Sequence, residues 1–423
     1  MKRWPAPAAL AAAFLAIASG PALAEIVRHA DFCPADPPLR QTTVIVDDSL
    51  VHRSPPGAPL PPENVAWIEP VRQIADVEVR SLGTMMPGEH LSVFVARRDT
   101  AELVPVFFGC SPNLSGADSA ALEEDQSFVS KLIFGETTGE ERRKDFLDAL
   151  GDAFGLIIRE DREPPPGDGD AAGFLRVLAS TPSLYSLDNG IPRVLLITPF
   201  AAPAGAWRSV EDARRQGFAM ADDLKVDFKL AEVYVVATQA GAEHAQDFAD
   251  AYLLGSRARL AGWRKTGLPP VENPPAQVAV YGGAVDIAGI ESPVQIRLAV
   301  DRQGSLVNSW IELTRIATAA TPVTGKMICA DETDCEVKGD GRLFAQAWSV
   351  TPLETRPGAQ TMFDQDLAWS GFRHIEIGIE GERAEAWIFE PNVVMEVGGP
   401  EATGKKTLNG YRVPATLARG QHF

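Results

Sequence analysis

The chain has 423 residues, of which 45% are hydrophobic and 23% charged, a composition typical of a globular protein with two or three domains. Its 57 acidic and 39 basic residues give a formal net charge of -18 at pH 7. Because this charge repels phosphate backbones and anionic lipid head groups, we expect no nucleic-acid partner.

The first 24 residues have the pattern of an export signal. Met1, Lys2 and Arg3 give a positive start, residues 8–18 are apolar, and the segment ends in Ala-Leu-Ala. This pattern predicts a secretory signal peptide over residues 1–24. The apolar run is too short to span a bilayer, so we expect no membrane insertion after cleavage. The sequence therefore predicts a periplasmic or secreted protein.

Four cysteines lie in the predicted mature chain: Cys33, Cys110, Cys329 and Cys335. An even number of cysteines in an oxidising compartment favours disulfides. Cys329 and Cys335 close a short loop and are expected to pair, which leaves Cys33 to pair with Cys110. Metal binding is the alternative, but the chain has no C-x-x-C motif and its six histidines are scattered.

The first half of the chain, residues 25–267, alternates strand-like and helical patterns. This alternation predicts an α/β fold with a doubly wound, mostly parallel sheet covered by helices. The expected strands are residues 42–46, the runs HLSVFVAR and ELVPVFFGC, and residues 193–198 and 232–238. The two runs are joined by only about four residues, so they should form an antiparallel hairpin. The expected helices are residues 63–81, 120–134, 140–158, 174–178, 210–221 and 242–263.

A proline-rich stretch at residues 268–275 is the clearest domain boundary. Beyond it, short alternating runs between Gly, Asp and Pro turns predict a smaller, all-β, sandwich-like or barrel domain over residues 276–398. Residues 399–423 are expected to form a frayed C-terminal tail. The tryptophans of this half alternate within short strands, which favours core positions over a carbohydrate- or peptide-binding platform.

The order of the elements in the first half resembles the von Willebrand factor A (vWA) domain family over residues 40–265. The matching features are a D-x-S sequence after the first strand, the antiparallel hairpin after the first helix, a Thr-Pro loop, and the strands RVLLIT and EVYVVAT. The resemblance implies a metal-ion-dependent adhesion site at the carboxyl ends of the strands. In such a site, hydroxyl and carboxylate oxygens hold Mg²⁺, which captures a carboxylate of the partner.

By this resemblance, Asp47, Ser49 and Thr181 occupy three of the five ligand positions, and Asp48 lies beside them. These four residues are the candidate binding site. In the alternative without metal, Asp47 and Ser49 cap the following loop, and Thr181 hydrogen-bonds Asp47.

Two positions of the site depart from the family pattern. Val51 stands where the family has a second serine, and Pro199 stands where it has an aspartate. Two oxygen ligands and one negative charge are therefore missing. We expect no metal cofactor, with weak binding of a divalent cation as the alternative.

The leading hypothesis is an exported, non-enzymatic binding protein whose vWA-like domain engages a protein partner in the cell envelope. The chain contains no G-x-S-x-G, H-E-x-x-H, P-loop or G-x-G-x-x-G motif. One alternative is a structural subunit of an envelope assembly. The other is an envelope hydrolase that uses Asp47 or Asp48 as one member of an acid/base pair.

Overall fold

The fold is described from a computed structural model of the chain. The structure describes residues 26–29, 31–34, 38–75, 85–112, 138–160, 170–181, 185, 190–203, 205–238, 243–265, 267, 274–287, 290–313, 321–330, 334–344, 370–389 and 410–417. The predicted signal peptide and the helix expected at residues 120–134 lie outside the described residues. Most of the expected linker, residues 268–273, also lies outside them.

A seven-stranded sheet forms the centre of the first half, which we call the sheet domain (residues 27–264). Its strands are β1 (Val27–His29), β2 (Arg40–Asp47), β3 (His90–Arg97), β4 (Glu102–Cys110), β5 (Ile191–Thr198), β6 (Ala231–Ala237) and β7 (Ala258–Arg264). Their order across the sheet is β1-β4-β3-β2-β5-β6-β7. Strands β3, β2, β5, β6 and β7 are parallel, whereas β4 runs antiparallel to β3 and β1 runs parallel to β4. The predictions of a mostly parallel sheet and of an antiparallel hairpin are confirmed.

Helices cover both faces of this sheet. They are α1 (Pro62–Ala75), α2 (Thr138–Ile157), α3 (Ala171–Ala179), α4 (Val210–Leu224) and α5 (Ala245–Gly255). Side chains alternate along a strand, so Val44 and Val46 pack in the core under α1 and α2, while Ile45 packs in the core under α3, α4 and α5. Burial on both faces explains why β2, β5 and β6 are buried along their whole length. Within the described residues, no helix is both long and apolar enough to cross a membrane.

The helix expected at residues 242–263 is wrong in its second half. Helix α5 ends at Gly255, and the run ARLAGWR forms β7, which pairs in parallel with β6. Leu260 packs on one core of the sheet and Ala261 on the other, which is the alternation of a strand. Gly255 lies tightly against α4, since a Cβ on it would be 2.7 Å from the Cβ of Ala221. Pairing with a neighbouring strand therefore overrides the helical pattern of this segment.

The second half is a closed antiparallel barrel, which we call the β domain (residues 277–417). Its strands are β8 (Gln277–Ile287), β9 (Ile290–Val300), β10 (Ser309–Leu313), β11 (Thr321–Cys329), β12 (Asp334–Phe344), β13 (Ser370–Glu380), β14 (Arg383–Phe389) and β15 (Gly410–Leu417). They follow the order β10-β11-β12-β13-β14-β15-β8-β9, and the pairing of β9 with β10 closes the sheet. The all-β prediction is confirmed, but the sheet closes on itself instead of forming two stacked sheets.

The C-terminal segment is part of this closed sheet. Strand β15 pairs with β14 over residues 410–416 and reaches β8 through Thr416 and Leu417. The expectation of a frayed tail over residues 399–423 is therefore wrong for residues 410–417. Without β15, strands β8 and β14 would each expose an unpaired edge of backbone N–H and C=O groups.

The two domains contact one another through a buried arginine. Arg297 of β9 is 2% exposed and donates hydrogen bonds to the carbonyl of Leu230 in the sheet domain (2.6 Å) and to the Asn308 side chain (2.6 Å). Leu230 packs against Trp310, whose indole N–H also donates to Asn308. Trp310 is therefore a core residue, as the sequence predicts. Trp348 and Trp369 lie outside the described residues, and the side chain of Trp387 is not described.

A buried charge cluster lies at the amino ends of the central strands. Glu89, which precedes β3, has no exposed surface and accepts hydrogen bonds from Arg40 at the start of β2 (3.0 and 3.1 Å) and from Thr42. Arg193 of β5 lies 3.3 Å from the same carboxylate. Burial lowers the pKa of Arg193 to about 10, so this guanidinium remains charged at neutral pH. One carboxylate thus holds two buried cations and ties three neighbouring strands together.

Both predicted disulfides are present. Cys33 pairs with Cys110 at the end of β4, and Cys329 of β11 pairs with Cys335 of β12. No free cysteine remains among the described residues, which include all four cysteines of the chain. The first bond ties the segment before β2 to the hairpin, and the second closes the turn between two strands of the β domain.

Candidate functional site

The candidate site lies at the carboxyl ends of the parallel strands. Asp47 is the last residue of β2 and is paired in register with Ala96 of β3, and Arg98 is the first residue after the end of β3. On the other side, Thr198 is the last residue of β5, next to the end of β2. Open α/β sheets bind ligands at this edge. The topology therefore brings an acidic, a basic and a hydroxyl side chain to one place.

Asp47 is buried and fully engaged in hydrogen bonds. Its Oδ1 accepts from the Ser49 backbone N–H (3.0 Å) and from the Ser49 hydroxyl (2.7 Å). Its Oδ2 accepts from the hydroxyl of Thr198 (2.9 Å), which itself accepts from the N–H of Phe200. Asp47 thereby caps the short 3-10 helix Asp48–Leu50. The predicted capping role is confirmed for Asp47, whereas Ser49 lies inside the short helix and donates to Asp47.

Asp48 is held by Arg98. The backbone N–H of Arg98 donates to Asp48 Oδ2 (3.1 Å), and its Nε donates to Asp48 Oδ1 (3.1 Å). The same Nε lies 3.5 Å from Asp47 Oδ1. Burial raises the pKa of Asp48, although the hydrogen bonds from Arg98 act in the opposite direction. The Arg98 guanidinium thus lies against both of the adjacent buried carboxylates.

Thr181 does not join this cluster. Its hydroxyl lies 3.4 Å from the hydroxyl of Ser180, immediately after α3. Within the described part of the chain, the side-chain hydroxyls that reach Asp47 are those of Ser49 and Thr198. The expected hydrogen bond between Thr181 and Asp47 is therefore wrong. Thr198 takes this place because β5 is the direct neighbour of β2 in the sheet.

A small cleft opens beside the cluster. It is lined by Asp48, Val51, Arg53, Val95, Arg97, Ile157 and Glu160. Arg97 and Glu160 form an ion pair across it, and both side chains are partly exposed. The cleft has room for little more than a water molecule or the tip of one side chain. This space suits a group presented by a larger partner better than a whole metabolite.

The residues at this edge do not fit a divalent-cation site. Val51 offers only methyl groups and packs against the core under α1 and α2, and Pro199 has no side-chain oxygen. Both oxygens of Asp47 already accept hydrogen bonds, and the positive charge of Arg98 lies beside them. Mg²⁺ requires near-octahedral oxygen coordination, which this arrangement does not supply.

We therefore expect no saturable Mg²⁺ binding by the wild type below about 1 mM, the weak end of the range for protein sites that bind such cations through oxygen ligands. Isothermal titration with Mg²⁺, Mn²⁺ and Ca²⁺ measures this, with Asp47→Ala as the control. Micromolar binding that disappears in Asp47→Ala would contradict the expectation.

The two buried acids with shifted pKa values, Asp48 and Glu89, should change stability in opposite directions on acidification. The raised pKa of Asp48 means that its ionised form costs folding free energy at neutral pH, and this cost is relieved as the pH falls through the raised pKa towards 3.8. For Glu89, burial alone would raise the pKa, but Arg40 and Arg193 lower it below 4.5. Its stabilising contribution is therefore present above pH 4.5 and is lost as the pH falls through the lowered pKa.

Urea unfolding of the wild type, Asp48→Asn and Glu89→Gln from neutral to acidic pH tests this contrast. The stability advantage of the wild type over Glu89→Gln should shrink below pH 4.5. Relative to Asp48→Asn, the wild type should gain stability over the acidic range. Differences that move in the same direction for both variants would contradict the assignment.

Sequence reasoning missed two residues of this site, Arg98 and Thr198. Both had a signal, because each is a polar residue at or just beyond the carboxyl end of an apolar strand run. The pairing of β2 with β3 and with β5 places them beside Asp47, whereas Thr181 has no such neighbouring strand. Comparison with known proteins gives no match to this chain among family models, curated proteins or solved structures.

Proposed function

We propose that this chain is an exported, non-enzymatic binding protein that engages a protein partner in the cell envelope through the carboxyl edge of its sheet. The observation that carries the proposal is the closed cluster of Asp47, Asp48 and Arg98 beside a small charged cleft. The strand order, with its antiparallel hairpin at one side, supports the vWA-like assignment on which the adhesion role rests.

The chemistry of the edge supports binding over hydrolysis. Asp47 accepts hydrogen bonds on both oxygens, and Asp48 is held at both oxygens by Arg98. A carboxylate held in this way is poorly placed to move a proton to or from a substrate. The cleft is also too small to enclose a metabolite.

Export is supported by the cysteines together with the N-terminal pattern. Both disulfides form between residues of the predicted mature chain, and structural disulfides persist in oxidising compartments. This observation agrees with the signal peptide predicted over residues 1–24. The proposed compartment is the periplasm or the exterior of the cell.

The test is affinity capture from an envelope extract with the purified mature chain, followed by affinity measurement on the captured protein. Arg53 lines the cleft and is exposed, so Arg53→Glu should weaken binding at least about tenfold, which corresponds to about 1.4 kcal/mol. Arg302→Glu is the matched control, because Arg302 is an exposed arginine in a turn of the β domain. Binding should also survive an excess of EDTA, since the proposed contacts are direct.

Three outcomes would count against the proposal. Equal affinity of Arg53→Glu and the wild type would exclude this edge as the binding surface. Loss of capture in EDTA would indicate a metal bridge. Turnover of a hydrolase substrate by the wild type but not by Asp48→Asn would favour the enzyme alternative.

A further inference from the structure

Two adjacent carboxylates are buried at the carboxyl edge, and their burial needs a compensating cation. Asp47 has no exposed surface, and Asp48 is 4% exposed. Two like charges removed from water are costly unless a positive charge is placed against them.

Arg98 supplies that positive charge from a fixed position. Its side chain is 12% exposed, and its Nε lies 3.1 Å from Asp48 Oδ1 and 3.5 Å from Asp47 Oδ1. Its backbone N–H is bound to the other oxygen of Asp48, so residue 98 is held at two points. The first turn of α3 lies against its stem, since a Cβ on Gly173 would be 3.8 Å from the Arg98 Cδ. Backbone, side chain and a covering helix all hold the guanidinium at the acidic pair.

We propose that the Arg98 guanidinium is the resident cation of this edge and that it excludes divalent metal ions from it. A metal ion bound to Asp47 Oδ1 would have to share that oxygen with the guanidinium nitrogen at 3.5 Å, and the two positive charges would repel each other at close range. Two features then act against metal binding: Val51 and Pro199 supply no ligand oxygens, and Arg98 places a positive charge beside the carboxylates. This positive charge is present at the edge whether or not metal ions are available.

This inference concerns the same edge as the proposed function but does not need a partner. Its test measures metal binding to the isolated chain, whereas the proposed function is tested by capture and affinity. A failure of one test can therefore be distinguished from a failure of the other.

The experiment is an isothermal calorimetric titration with Mn²⁺ of the wild type, Arg98→Ser and Arg302→Ser. Removal of the Arg98 guanidinium takes away the positive charge beside Asp47 Oδ1, so Arg98→Ser should bind Mn²⁺ at least about tenfold more tightly than the wild type. Arg302→Ser is the control, because Arg302 is an exposed arginine in a turn of the β domain. Adding Asp47→Asn to Arg98→Ser should abolish the gain.

For a folded Arg98→Ser variant, two results would overturn the inference. One is a wild type that binds Mn²⁺ with the same affinity as Arg98→Ser and loses this binding when Asp47→Asn is introduced. The other is a folded Arg98→Ser variant that binds Mn²⁺ no better than the wild type. If Arg98→Ser does not fold without metal, its thermal unfolding is measured with and without Mn²⁺. Restoration of a folding transition by Mn²⁺ supports the inference, and the absence of any restoration overturns it.

Discussion

The substitution Glu89→Gln is expected to lower the free energy of unfolding of the sheet domain by about 3–5 kcal/mol, the cost of breaking a buried ion pair from one side. Glu89 has no exposed surface, and its carboxylate is the shared partner of Arg40 and Arg193. Glutamine keeps the shape but not the charge, so the two buried guanidinium groups would lose the carboxylate that they share. Such a loss is a large part of the stability of an ordinary domain. Urea unfolding at neutral pH measures it.

Glu160→Gln provides the matched control. Glu160 also pairs with an arginine, Arg97, but the glutamate side chain is 26% exposed. Exposed or partly exposed ion pairs contribute about 0–1 kcal/mol, so this variant should unfold close to the wild type. Equal destabilisation by the two substitutions would show that burial of the Glu89 cluster is not what makes it important.

The second large effect is expected from the disulfide of the sheet domain. Removing it with Cys33→Ala and Cys110→Ala should lower the free energy of unfolding by about 4 kcal/mol, because the bond closes a loop with a sequence separation of 77 residues. That loop contains β2, α1, β3 and β4, so its closure restricts much of the unfolded sheet domain. Chemical unfolding under non-reducing conditions measures the loss.

The disulfide of the β domain is the internal comparison. Cys329 and Cys335 are separated by only 6 residues, so Cys329→Ala with Cys335→Ala should cost about 2 kcal/mol by the same chain-entropy relation. A loss for the short loop that equals or exceeds the loss for the long one would contradict the entropic explanation. Non-reducing peptide mapping of the wild type confirms which cysteines are paired before the comparison is made.

Most of the sheet domain could be predicted from the sequence because its strands are apolar runs buried on both faces. The run RVLLIT has hardly any other stable environment, and the short connection between β3 and β4 allows only a hairpin. The prediction of a helix fails at residues 256–263 for a physical reason. The segment ARLAGWR is short and has only a weak alternation, so its own pattern does not separate a strand from a helix.

In the β domain, too, the local sequence pattern does not predict how the strands pair. Alternating runs predict strands but not whether a sheet closes, because closure depends on pairings between strands far apart in the chain. Strand β15 has a proline, Pro414, and follows a Gly- and Lys-containing stretch, so locally it is typical of a tail. Its pairing with β8, more than 120 residues earlier, decides its structure.

The sequence by itself determined the α/β class of the first half, the all-β class of the second, the pairing of the cysteines and the capping role of Asp47. Each of these follows from local periodicity, from a count of four cysteines, or from a side chain acting two residues along the chain. Only the tertiary structure decided which residues surround Asp47. Thr198 and Arg98 reach it through strand register, whereas Thr181 does not, because proximity across a sheet is set by the pairing of strands that lie far apart in the sequence.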